Sequence, residues 1–171
     1  VVTPSEKDAL ILERELIADP GEGRIPVGPD RPQALEPRNW EGACRLPLSD
    51  VRTEGPWTLR RCVNVQWIDH VLDTAAPGAR LAFALEGRAL SLGLDFGKAA
   101  ADFRYSLDGA PWETVALDRP EWCGVGGWYH VVNLADDLEA GRHEVELEVV
   151  HGNRPECQGT NFRLALIGVV P

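Results

Sequence analysis

The sequence predicts an all-β protein, a sandwich or a barrel, preceded by one short helix. Three observations carry this. After Asn39 the apolar residues recur at every second position through several short segments. Turn signals rich in Gly, Pro, Asp and Asn separate those segments. After residue 18 no stretch shows helical periodicity.

The helix is expected over residues 5–18, SEKDALILERELIA. Ser5 suits an N-cap, Asp8 places acid three residues on, and Leu10, Leu12, Leu16 and Ile17 share a face. Asp19-Pro20-Gly21 ends it. From Gly21 to Pro37 the density of Gly and Pro excludes a regular element and reads as a linker or surface arm. The chain thus divides into an N-terminal helix and arm, 1–38, and a β domain, 39–171.

In that domain RLAFAL (80–85) sets Leu81, Phe83 and Leu85 on one face. ALSLGLDF (89–96) turns Leu90, Leu92, Leu94 and Phe96 inward. DFRYSL (102–107) aligns Phe103, Tyr105 and Leu107. Asp108-Gly109 follows, a hairpin signal because a type I′ turn needs positive φ at both central positions. WETVAL (112–117) is the return strand, with Trp112 read as core. WYHVVNL (128–134), RHEVELEVV (142–150) and NFRLALIGVV (161–170) complete the set. Less distinct strands fall at 57–65 and near 45–48. No internal repeat occurs.

The 171 residues suit one sizeable core, and a net charge of -10 would repel nucleic acid and anionic membranes. No apolar run approaches the ~20 residues a transmembrane helix needs. The chain starts without Met and without signal-peptide pattern, which points to a processed product or an excised fragment. Cys44, Cys62, Cys123 and Cys157 have no zinc-site spacing. Their even number and loop-like settings point to disulfides and a secreted or extracytoplasmic setting. Of three pairings, Cys44–Cys62 with Cys123–Cys157 is favoured, since each ties neighbouring segments.

No nucleophile elbow is present among the serines. Asp69 and His70, adjacent on a strand, point to opposite faces. Asp136, Asp137 and Glu139 in a polar turn form a calcium candidate, and no other metal or cofactor is called for. Six tryptophans remain, and an indole beside planar polar groups suits the apolar face of a sugar. Trp122, in a Pro/Gly-bounded loop, is the first candidate for an exposed ring. Trp128 and Tyr129 open a strand, one facing in and the other out. His130 follows them, and Trp57 completes the ligand-binding set.

PGARLAFALEGRALSLGLDF, the YSLDG hairpin, LEAGRHEVEL and the closing GTNFRLALIGVV together resemble the jelly-roll, carbohydrate-binding-like accessory domain of bacterial SGNH/GDSL hydrolases. The resemblance runs from about Ala34 to the end. It implies a two-sheet, galactose-binding-like β-sandwich beside an esterase acting on acylated glycans. The hydrolase's own Ser, Asn and His blocks are missing, so the expected function is non-catalytic glycan binding, with a polysaccharide and a linked esterase domain as partners. Two other readings stay open: a structural or interaction domain without sugar binding, and a small carbohydrate-active enzyme using paired carboxylates.

Overall fold

The computed structural model describes residues 42–62, 66, 68–117, 119–123 and 127–171. The helix expected over 5–18, the arm to Pro37, and Trp40 and Trp67 lie outside the described residues. All described residues fall within one compact unit, Trp40–Pro171.

Among the described residues eleven strands run β1 (Cys44–Leu46), β2 (Arg52–Glu54), β3 (Thr58–Arg61), β4 (His70–Thr74), β5 (Arg80–Gly87), β6 (Ala89–Phe96), β7 (Asp102–Leu107), β8 (Glu113–Val115), β9 (Trp128–Ala135), β10 (Gly141–Val150) and β11 (Phe162–Val170). They form two sheets. One has the order β3-β4-β11-β6-β9, with β1 also paired to β11, and the other β2-β5-β10-β7-β8. Neighbouring strands are antiparallel throughout both sheets. The result is the expected β-sandwich.

The alternation of apolar residues fixes the registers. On β10, Val145 lies opposite Phe83, and Leu147 lies opposite Leu81 on one side and Tyr105 on the other. On the facing sheet Leu164, Ile167 and Val169 of β11 pair with Leu94, Leu92 and Leu90 of β6. All of these are buried. A one-residue slip would turn each apolar row to the opposite face, at roughly 1.5–3 kcal/mol per large side chain exposed. At one end of the core Phe162 meets Phe103 and Trp57 edge-on, with centroids 5.6 and 6.0 Å away.

One edge of β11 is shared. β4 covers Phe162–Leu164, and β1 covers Ile167–Val169. A bulge falls between Leu164 and Leu166, where the ladder changes partner. β6 is buried along its whole length, including its outward-pointing Ser91 and Asp95. Ser91 bonds Asn133 at 2.7 Å, and Asp95 meets Arg163 at 3.4 Å.

Asp108 and Gly109 hold φ of 52° and 74°, as the hairpin reading requires, and Ala110 N–H donates to the Leu107 carbonyl. Beyond the turn the sequence reading needs three corrections. β8 is only Glu113–Val115, because the Leu117 N–H leaves the ladder for Asp102 Oδ1. Trp112 is not a core residue: it is 36% exposed and packs against the guanidiniums of Arg80 and Arg104. β2 and β4 carry too little alternation to be read from sequence. Val71 and Leu72 of β4 are adjacent yet both buried, since the strand is covered on both faces.

The expected disulfides do not form. Cys44, Cys62, Cys123 and Cys157 are all free thiols. Their surroundings explain this. Cys44 sits on the exposed β1, and Cys62 packs with Ile68 and Val71. Cys157 is fully buried and donates its Sγ–H to the Leu117 carbonyl at 3.1 Å. Burial pushes that thiol up to about 11, which keeps the proton the bond needs.

Candidate functional site

β9 is the outermost strand of its sheet, and pleating divides its side chains between two faces. Phe96 lies opposite Trp128, Leu94 opposite His130, and Asp95 opposite Tyr129. Trp128 and His130 therefore share the core-side face, and Tyr129 points away from it. The one-in, one-out expectation for Trp128 and Tyr129 holds.

On the core side the aromatics form a corner. Trp128 packs on Phe96 at 5.4 Å, which anchors it to the sandwich. His130 stacks on Trp128 at 4.5 Å with a 20° tilt. Trp122, in the 3-10 turn Glu121–Cys123, meets Trp128 edge-on at 5.8 Å and 77°. Trp122 is 75% exposed, Trp128 is half-buried and His130 is exposed. The corner thus offers a free indole standing nearly perpendicular to a flat Trp–His stack. Such an angle lets one ring take an apolar ligand face while the imidazole offers a hydrogen bond.

The segment feeding this turn is tied down. Arg154 grips Asp102 at 2.9 and 3.2 Å and also donates to the Leu117 carbonyl at 3.1 Å. Asp102 in turn accepts from the Leu117 N–H. A bidentate, largely buried pair of this kind fixes direction better than an exposed one. Gly127 enters β9 against the Asp95 carboxylate, where a Cβ would meet Oδ1 at 2.8 Å.

The structure separates the other two candidates from the corner. Tyr129 lies over Gly93 on the opposite face of the sheet, and burial raises its phenol pKa, with Arg45 opposing. It lines a cleft of about 540 Å³ between β1 and the β3–β4 edge, together with Leu46, Leu59, Ile68, His70 and Leu166. Trp57 is a packing residue: its ring meets Phe162 and its Nε1–H donates to the Glu54 carbonyl at 3.1 Å.

The calcium candidate does not assemble. Among the described residues no three His, Cys, Asp or Glu side chains converge as metal ligands. The Glu139 carbonyl is taken by His143 Nε2 at 2.8 Å. Two acids on the outer face of the six-stranded sheet, Asp73 and Asp95, hold Arg163 between them at 3.7 and 3.4 Å. The guanidinium pairs with both carboxylates at once. Sequence reading missed this group because its members come from three strands far apart in the chain.

The fold and the corner together define a class: an antiparallel β-sandwich with an aromatic edge. No family model matches the sequence, and no curated protein matches it. Among solved structures, two of a two-domain esterase active on acetylated mannans, one of them co-crystallized with mannopentaose, match with a TM-score of 0.63. Identities are 18% and 17%, over 82% and 95% of this chain but only 39% and 44% of the esterase. A family two carbohydrate esterase from Cellvibrio japonicus matches at TM-score 0.51 and 14% identity, over 74% of this chain and 32% of that one. The likeness is one of fold, and this chain spans less than half the length of each of these neighbours.

Proposed function

We propose that the β domain, residues 39–171, is a non-catalytic carbohydrate-binding module working beside a glycan esterase. The observation that carries this reading is Trp122, 75% exposed and braced edge-on against the Trp128–His130 stack. An exposed indole set edge-on to a Trp–His stack suits the apolar face of a sugar. The fold it shares with esterases active on acetylated mannans supports a glycan as the occupant. Trp122 and Trp128 supply the stacking surfaces and His130 a polar contact. An extracytoplasmic setting rests on that likeness alone, since the free thiols remove the disulfide argument. None of the helices described is long and apolar enough to cross a membrane.

A second reading has an observation of its own. The match covers only 39–44% of the two-domain esterase, so the same corner could face a catalytic domain instead of a sugar. Affinity electrophoresis through gels containing soluble acetylated mannan separates the two. Glycan binding at the corner predicts retardation of the wild type that Trp122→Ala clearly reduces. Equal mobility of both proteins in the presence and absence of mannan would overturn the binding reading.

A further inference from the structure

Trp112 belongs to neither the core nor the corner. It precedes β8 and lies on the outer face of the five-stranded sheet. Beneath it runs a row fixed by register: Arg80 of β5, Glu148 of β10 and Arg104 of β7 stand directly opposite one another. Arg80 reaches one oxygen of Glu148 at 2.7 Å, and Arg104 reaches the other at 2.8 Å. The guanidiniums lie 5.9 and 5.1 Å from the Trp112 ring centre.

Both arginines grip a single carboxylate, so they lie side by side on the sheet. The indole packs against both guanidiniums and stays 36% exposed. Arg104 Nε is buried with no hydrogen-bonding partner among the described residues, while Nη2 of the same guanidinium holds Glu148. Glu148 is 12% exposed and is neutralised twice over, which makes the row a rigid bed. A hydrophobic ring held against a charged row, with polar groups beside it, is a preorganised surface.

We propose that Trp112 is a second saccharide platform, on the opposite sheet from the Trp122 corner, which takes the apolar face of a neutral pyranose. Arg80 and Arg104 set the ring's orientation, and their outer N–H groups, 50% and 39% exposed by side chain, meet hydroxyls at its edge. Neutral sugar fits better than an anionic one. Glu148 offsets one arginine, and Glu146 lies one residue pair further along β10, exposed beside Ser106 and Ala82. The proposal shares the glycan reading above but not its site.

The test labels the full chain with 5-fluorotryptophan, assigns each resonance by single Trp→Phe substitution, and titrates with mannopentaose and with soluble acetylated mannan. The Trp112 resonance is expected to move in the wild type and equally in Trp122→Ala. Trp112→Ala should weaken polysaccharide binding about tenfold while Trp112→Phe recovers most of it. A Trp112 line that stays still while Trp122 moves would overturn the second platform and leave the corner standing. Both lines unmoved at saturating mannan would overturn both.

Discussion

Gly93 sits in the middle of β6, beneath the Tyr129 ring. A Cβ built there would fall within the contact distance of the Tyr129 hydroxyl and would meet the Leu166 Cβ at 2.8 Å and Tyr129 Cζ at 2.9 Å. The backbone itself is ordinary strand, so the objection to a side chain is steric only. In an open strand Gly93→Ala would stabilise by about 0.5–1 kcal/mol, because alanine loses less chain entropy. Overpacking of a closed site costs about 1–3 kcal/mol. The Leu166 contact comes from a Cβ fixed to the neighbouring strand and cannot swing aside, so the steric cost wins. A net destabilisation of about 0.5–2 kcal/mol follows, and at ~2–4 °C per kcal/mol for a chain of this size Tm should fall by about 1–8 °C. Urea melts of Gly93→Ala, Tyr129→Ala and the double variant complete the assay. Removing the phenol should recover part of the alanine penalty, a coupling of about 0.5 kcal/mol or more. A Gly93→Ala protein as stable as wild type or more so would refute the close approach, and with it the packing of Tyr129 on the sheet.

Two further outcomes test separate parts of the molecule. His143 faces acceptors at both ring nitrogens, Asp108 Oδ2 at 2.7 Å and the Glu139 carbonyl at 2.8 Å, so the imidazolium is the form that satisfies both. The Asp108 bond raises the His143 pKa above 6.5 and lowers that of Asp108 below 3.8. The histidine's contribution is therefore complete below about pH 6.5 and is lost as pH rises through its raised folded value. Asp108's is complete above about pH 4 and is lost as pH falls through its lowered value. Wild type should lose Tm between pH 6 and 8 relative to His143→Gln, and parallel curves for the two proteins would contradict the pairing. For the cysteines, a thiol reagent at pH 8 should modify the exposed Cys44 first and spare Cys62 and Cys157 until denaturant is added, when four thiols titrate. Fewer than four under denaturing, non-reducing conditions would restore the disulfide expectation.

Long alternating runs were the most legible part of the chain. β5, β7, β10 and β11 each carry a full apolar row on one face, so their directions follow from period alone. β2 and β4 were not legible, one because it is three exposed residues on an edge, the other because both faces are covered. In the candidate site, Trp122 could be picked out because Pro and Gly bound its loop. Its bracing by Trp128, with Phe96 behind, could not, since that depends on how far β9 lies from β6 along the chain. Trp112 misled because a tryptophan after a hairpin usually packs inward, and here two guanidiniums and a shared carboxylate outside the sandwich hold it instead.

Local chemistry, then, determined the strand faces, the Asp108-Gly109 turn, and the aromatics' in-or-out sense on β9, because each depends on residues a few positions apart. The tertiary structure decided which aromatics meet, where Arg163 lies between two acids, and that four cysteines stay reduced. Those outcomes depend on which strands become neighbours in the sheet, and strand order is set by the burial of the whole apolar surface rather than by any short stretch of sequence.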